Sequence, residues 1–302
     1  MNAHDALRAA RPCPRRPARA AGIAAVLAGL LATAALPPAA AAPSAPAPAA
    51  ADEFGGDPFR SHPWADMRRE FLGSGPVHFD ARIAVRGPAF AEDPMNVPIS
   101  VVVPPELGPV EQVSVLVDRN PIRKVLDFYP LDPVAAPAFS FRFKLEQASP
   151  VRVAARTRDG QWHVGGTWVE SSGGGCTVPG ATRKDGSWSQ TLGQVSGRLF
   201  VSAARGGDAA ADGAPRALFG GSRLRVRVMH PMDTGLVGGI PAFYLSRLSV
   251  RDAADRELLR LHPYEPVSEN PVFGFDFRRA DLGPLRLVGV DNNGNRVNGA
   301  IE

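Results

Sequence analysis

Cysteine is scarce in this chain: the 302 residues contain two, Cys13 and Cys176. No Cys-x-x-Cys or Cys-x-x-Cys-His motif is present, so the sequence lacks the usual signatures of a thiol–disulfide redox pair and of covalent haem attachment. It also lacks a phosphate-binding loop and a glycine-rich dinucleotide motif. We therefore expect no resident cofactor, no bound metal ion and no catalytic residues.

An excess of basic charge is almost absent once the N-terminus is set aside. The whole chain has 34 Lys and Arg against 30 Asp and Glu. Five of the arginines but only one acidic residue lie in residues 1–42, so the remainder is balanced. The basic isoelectric point therefore gives no reason to expect a nucleic-acid partner.

Long hydrophobic runs are also missing, with one exception at residues 20–36. Arginines precede this run, and Pro37, Pro38 and a stretch of alanines follow it. This order is typical of a secretory signal peptide, which we assign to residues 1–42, with export to the periplasm. An uncleaved membrane anchor is the alternative, but the run is short and rich in alanine for a span. After cleavage we expect no membrane span.

The rest of the chain predicts an all-β protein with two tandem immunoglobulin-like β-sandwich domains. Short runs of apolar or alternating residues, bounded by turn residues, fill residues 54–170 and 187–302. A Pro/Ala tether at 43–53 precedes the first domain, and a Gly-rich linker at 171–186 separates the two. One clear alternation, residues 139–145 (FSFRFKL), predicts a strand with Arg142 and Lys144 on its polar face.

The linker contains the one cysteine that remains after signal cleavage. Cys176 follows Gly173, Gly174 and Gly175, which predicts a thiol presented at the tip of a mobile loop. The nearby Arg183 and Lys184 could favour its thiolate form. A small buried residue is the other interpretation.

A cysteine hydrolase would need a histidine base for Cys176. His163, His230 and His262 are the candidate imidazoles, and none stands at a recognisable spacing from the cysteine. The sequence therefore disfavours hydrolysis.

A second distinctive segment follows an alternating strand in the second half. It consists of His230, Pro231, Met232, Asp233, Thr234 and Gly235. His230 and Asp233 could bind a metal ion, but no further ligands lie nearby in the sequence. Pro231 and Gly235 favour a strand-end turn instead.

The glycine-flanked cysteine followed by HPMDTG resembles SoxY and SoxZ, the two subunits of the periplasmic sulfur carrier of thiosulfate oxidation, here fused in one chain. The arrangement is similar to fused SoxYZ-like carriers associated with quinoprotein (PQQ) dehydrogenases. The resemblance implies a covalent carrier without turnover of its own. Cys176 would hold a sulfur-containing group, Gly173, Gly174 and Gly175 would form its swing arm, and residues 230–235 would be a docking or structural loop.

The resemblance also implies partners: periplasmic sulfur-oxidation enzymes, or a quinoprotein dehydrogenase and cytochrome c system.

One departure from the family pattern limits which of these properties can be carried over. In separate SoxY chains the cysteine lies near a free C-terminus, whereas here the chain continues through Thr177 into the second domain. The arm is tethered at both ends, so its reach is shorter. The alternative function is a non-catalytic accessory or scaffold module for a periplasmic dehydrogenase or cytochrome, which would tolerate loss of Cys176.

Overall fold

The computed structural model describes residues 53–201 and 219–301, and both halves of it are built from short strands. The predicted signal peptide (1–42), and all of the tether except residue 53, lie outside the described residues. In the first half, α1 (Trp64–Met67) continues into a π-helical turn (Arg68–Leu72). The strands that follow are β1 (Val77–Phe79), β2 (Ala84–Arg86), β3 (Phe90–Ala91), β4 (Val97–Val102), β5 (Val110–Val117), β6 (Lys124–Pro130), β7 (Ala135–Phe143), β8 (Ser149–Thr157) and β9 (Trp162–Ser171), with a 3₁₀ turn at Pro105–Leu107.

Two short helices, α2 (Ala181–Asp185) and α3 (Trp188–Thr191), connect the halves. The second half contains β10 (Val195–Val201), β11 (Ser222–Val228), β12 (Leu245–Arg251), β13 (Glu257–Pro263), β14 (Val272–Phe277), β15 (Leu285–Asp291) and β16 (Arg296–Ile301). The all-β, two-domain, immunoglobulin-like prediction is confirmed.

The strands form two sheets. The first sheet has the order β1-β9-β8-β5-β6-β13-β12-β15-β16, with β3 paired to β9 as a tenth strand. The second sheet has the order β10-β11-β14-β7-β4-β2. In β11 the alternation expected of a half-buried strand is clear: Leu224, Val226 and Val228 are fully buried, whereas the arginines between them face away from the core.

Both sheets run without interruption from one half to the other, which the sequence did not predict. Strand β6 pairs antiparallel with β13, placing Phe128 opposite Leu261. Strand β7 pairs antiparallel with β14, placing Phe139 opposite Phe275. The aromatic rings of Phe128 and Phe139 stack at a centroid distance of 4.8 Å. One apolar core therefore extends through both halves, and residues 171–186 cross an interface that is already closed by strand pairing.

Candidate functional site

The site forms where the chain leaves β9 and approaches α2. Cys176 lies in this segment and its exposed fraction is 0 %. The prediction of a thiol presented at a loop tip is therefore wrong for this conformation, and the buried interpretation is correct.

The physical reason is that the glycines permit close packing. Gly173 has a φ of +95°, which glycine adopts readily. At Gly175, a Cβ atom would lie 2.3 Å from the carbonyl oxygen of Pro94 and 2.6 Å from that of Leu145. No larger residue fits at this position, so the loop lies directly against neighbouring backbone and takes Cys176 inside with it.

Glu146 holds the segment from the first half. Its carboxylate accepts a 2.8 Å hydrogen bond from the backbone N–H of Cys176 and a 3.0 Å bond from the hydroxyl of Thr177. Its backbone carbonyl accepts a 3.2 Å bond from the N–H of Gly174. The thiol of Cys176 points toward the backbone carbonyl of Lys144, with 3.6 Å between Sγ and the oxygen.

The HPMDTG loop holds the same segment from the second half. The hydroxyl of Thr234 donates a 2.7 Å bond to the carbonyl oxygen of Cys176. Asp233 and Phe243 exchange two backbone hydrogen bonds, and the thioether of the fully buried Met232 accepts one from the N–H of Leu245. The loop thus packs against the cysteine segment, and the two sequence motifs that carry the family resemblance are in contact.

Lys144 is a member of the site that the sequence did not predict. The alternation through residues 139–145 placed it on the polar face with Arg142, but β7 ends at Phe143 and the Lys144 side chain is only 3 % exposed. Its Nζ donates a hydrogen bond to the carbonyl oxygen of Met232. Burial lowers the pKa of Lys144 to about 8, against the opposing effect of Cys176 and of the carboxylates of Asp233 and Glu269. The signal available in the sequence was only a lysine at the end of an apolar strand.

Burial also determines the state of the thiol. It raises the pKa of Cys176 to about 12, with a further contribution from the Glu146 carboxylate, while Lys144 opposes the shift. The thiol is therefore protonated near neutral pH in this conformation. Because only the thiolate is a good nucleophile, the closed site holds Cys176 in an unreactive form.

Arg183 and Lys184, which the sequence suggested could favour the Cys176 thiolate, do not contact the thiol. Arg183 donates a 2.6 Å bond to the carboxylate of Asp233 and stacks on the Trp188 ring, 4.0 Å from its centroid. Lys184 is exposed. The carboxylate of Glu269 accepts a 2.8 Å bond from the N–H of Ala181 and further bonds from Thr182, which fixes the start of α2. The segment after Cys176 is thus anchored to the second half.

The histidines have other partners. Nδ1 of His230 accepts a 3.1 Å bond from the N–H of Met232, and its Nε2 lies 3.5 Å from the carboxylate of Asp291. Burial lowers the pKa of His230 to about 4. His163 lies 3.2 Å from Asp80. Within residues 53–201 and 219–301, no histidine is hydrogen-bonded to Cys176, and His230 and Asp233 turn to different partners rather than converging.

Comparison with protein-family models gives two matches. Residues 68–176 match the model for sulfur oxidation protein SoxY, and residues 217–302 match the model for sulphur oxidation protein SoxZ. Together they cover more than half of the chain, and Cys176 is the last residue of the SoxY match. The chain belongs to the fused SoxYZ-like sulfur carriers.

Among solved structures, part of the chain is similar to the sulfur carrier protein SoxY from Chlorobium limicola f thiosulfatophilum. The identity is 21 % and the TM-score 0.33, over 36 % of this chain and 96 % of that one. A weaker similarity joins 77 % of this chain to 26 % of a β-glycosidase from Bacteroides vulgatus, at 10 % identity and a TM-score of 0.19. No curated protein matches. In the described part of this SoxYZ-like chain, no helix has the length and apolar character that a membrane crossing requires.

Proposed function

We propose that this SoxYZ-like protein carries its sulfur cargo covalently on Cys176, in the periplasm, and presents the adduct to partner enzymes without turning it over. One observation carries the proposal: Cys176 ends the SoxY-matched segment and is held by the SoxZ-matched loop through Thr234. Glu146 and the backbone carbonyl of Lys144 contact Cys176 from the first half, so contacts from both halves converge on this residue.

The described conformation is the closed state of the arm. Loading requires Sγ to leave the pocket, which breaks the hydrogen bond from Thr234 and those to Glu146. These contacts are few and are made by side chains, so opening is a local event that leaves both sheets intact. Once exposed to water, the thiol recovers a pKa of about 8.5, and a thiolate fraction forms near neutral pH.

The loading step is a sulfur transfer from a persulfide donor on a partner. The thiolate of Cys176 attacks the terminal sulfur of the donor, forming a new S–S bond while the donor's own S–S bond breaks. The donor leaves as a thiolate and takes up the proton that Cys176 released. This exchange needs no external oxidant.

The partners that we propose are sulfur-oxidation enzymes or a quinoprotein dehydrogenase with its cytochrome c. The bonds from Ala181 and Thr182 to Glu269 anchor the chain after Cys176, which shortens the reach of the arm. This supports partners that contact a surface loop rather than partners with a deep, narrow pocket.

The purified protein can test the loading step directly. Incubation with cysteine persulfide is expected to add the mass of one sulfur atom at Cys176, and dithiothreitol is expected to remove it. The Cys176→Ser variant is expected to gain nothing. A wild-type protein that stays unmodified while a denatured sample reacts would contradict the proposal, and would favour the scaffold function.

A further inference from the structure

An arginine-lined groove crosses the outer face of the second sheet, away from the bonds that hold Cys176. Its volume is roughly 510 Å³, and its basic residues are Arg86, Arg142, Arg223 and Arg225. None of the thirteen described residues that line it is acidic. The groove is thus a concentration of positive charge on a chain whose charges balance overall beyond residue 42.

Strand pairing places the residues of this groove in one row. Arg225 lies opposite Gly274, Gly274 opposite Ser140, Ser140 opposite Ser100, and Ser100 opposite Arg86. Four inter-strand steps of about 4.8 Å put the two arginine backbones roughly 19 Å apart. Because long side chains stand at the ends of the row and small ones between them, the surface is concave.

The floor of the groove is preorganised to donate hydrogen bonds. Arg223 donates a 2.6 Å bond to the buried carboxylate of Asp276 and a 2.7 Å bond to the hydroxyl oxygen of Ser140. Since Ser140 accepts from an arginine, its own proton is available for a ligand. A Cβ atom at Gly274 would lie 2.5 Å from the Ser140 oxygen and 2.7 Å from Nη2 of Arg223, so only glycine keeps this floor open.

In the described part of the chain, the remaining arginines of the groove have no acidic partner. Within residues 53–201 and 219–301, no carboxylate lies within 4 Å of Arg86, Arg142 or Arg225, and all three are exposed. Two arginines of the first sheet differ, since Arg260 and Arg286 each pair with an acidic neighbour at 2.5 Å. Clustered guanidinium groups without counter-charges, beside free hydroxyl protons, match the donor set that a tetrahedral oxyanion requires.

We propose that this groove binds a doubly charged tetrahedral oxyanion of the sulfate class, held by Arg142, Arg225 and the hydroxyl of Ser140. Arg142 and Lys144 are two residues apart, about 7 Å along the strand direction, so the groove ends beside the cysteine site. The inference does not depend on covalent loading of Cys176, because none of its contacts involves the thiol.

Isothermal titration of the full chain with sodium sulfate tests this inference, with sodium chloride at equal ionic strength as the reference. Saturable sulfate binding is expected, and Arg225→Gln is expected to weaken it by about tenfold or more through loss of a charge-assisted hydrogen bond. Arg142→Gln is a second variant that should also weaken binding, because Arg142 is the other guanidinium group proposed to hold the anion. Arg296→Gln removes the same charge from the exposed edge of the first sheet and should leave the affinity unchanged.

Two results would overturn the inference. One is the absence of saturable sulfate binding above the chloride reference. The other is an equal loss of sulfate affinity in Arg296→Gln, which would attribute the effect to the net charge of the protein and not to the groove. Circular dichroism of each variant establishes that the fold is retained.

Discussion

The hydroxyl of Thr234 donates a 2.7 Å hydrogen bond to the carbonyl oxygen of Cys176. The bond joins the SoxZ-matched loop to the last residue of the SoxY match. We call this bond the latch, because through it the second half helps to hold the Cys176 thiol of the first half in its buried site. The reactivity of Cys176 should therefore depend on residues far from it in the sequence.

Removing the latch should expose the thiol. We expect Thr234→Val to increase the rate of Cys176 alkylation by iodoacetamide roughly two- to tenfold, because one neutral hydrogen bond contributes about 0.5–1.5 kcal/mol. Mass spectrometry of timed samples measures the rate. Thr167→Val is the matched control, since Thr167 lies on β9 outside the cysteine contacts, and it should leave the rate unchanged. An unchanged alkylation rate in Thr234→Val would show that the Thr234 hydrogen bond does not control exposure of the Cys176 thiol.

The pH profile of alkylation should reveal the closed state. Burial and the Glu146 carboxylate raise the pKa of Cys176 to about 12, so the rate should continue to rise with pH beyond the usual thiol range near 8.5. Glu146→Gln removes the negative charge and weakens the bonds to Cys176 and Thr177. We expect its profile to level off at a lower pH. A wild-type plateau near pH 8.5 would mean that the thiol is already open.

Lys144 and Cys176 should contribute to stability with opposite dependence on pH. The unfolded chain keeps the lysine proton up to about pH 10.5, while burial lowers the folded pKa to about 8, so this group makes stability rise with pH across that window. The folded thiol keeps its proton to about pH 12, above the usual range, so Cys176 makes stability fall as the solution becomes alkaline.

Single variants separate the two effects. Relative to wild type, Cys176→Ser should gain stability as pH rises from about 8 to 10, because the contribution of Lys144 is then unopposed. Lys144→Met should lose stability over the same range. Urea unfolding at several pH values measures both. If the two variants change in the same direction, the charge assignments in the pocket are wrong.

The fold could be read from the sequence because strand patterns are local. The alternation through residues 139–145 predicts a strand, and residues 139–143 lie in β7. The shared sheets could not be predicted, because pairing of β6 with β13 depends on residues more than a hundred positions apart. Periodicity within each strand carries no information about such a partner.

The site was predicted in its components and not in its geometry. Gly173, Gly174 and Gly175 indicated mobility, but the same absence of side chains allows the close approach to Pro94 and Leu145. Which of the two occurs depends on tertiary contacts. Lys144 was assigned to a polar face because alternation assumes that the strand continues, and β7 ends one residue before it.

The most direct test of the central claim is intact mass spectrometry of the mature protein isolated from periplasm, before and after mild reductant. Our account predicts a sulfur-containing adduct that maps to Cys176, is lost on reduction and is absent from Cys176→Ser. The mass of the adduct would identify the cargo. A free thiol, or a cysteine-linked dimer, under both sulfur-fed and alcohol-fed growth would contradict the carrier account and favour an accessory module.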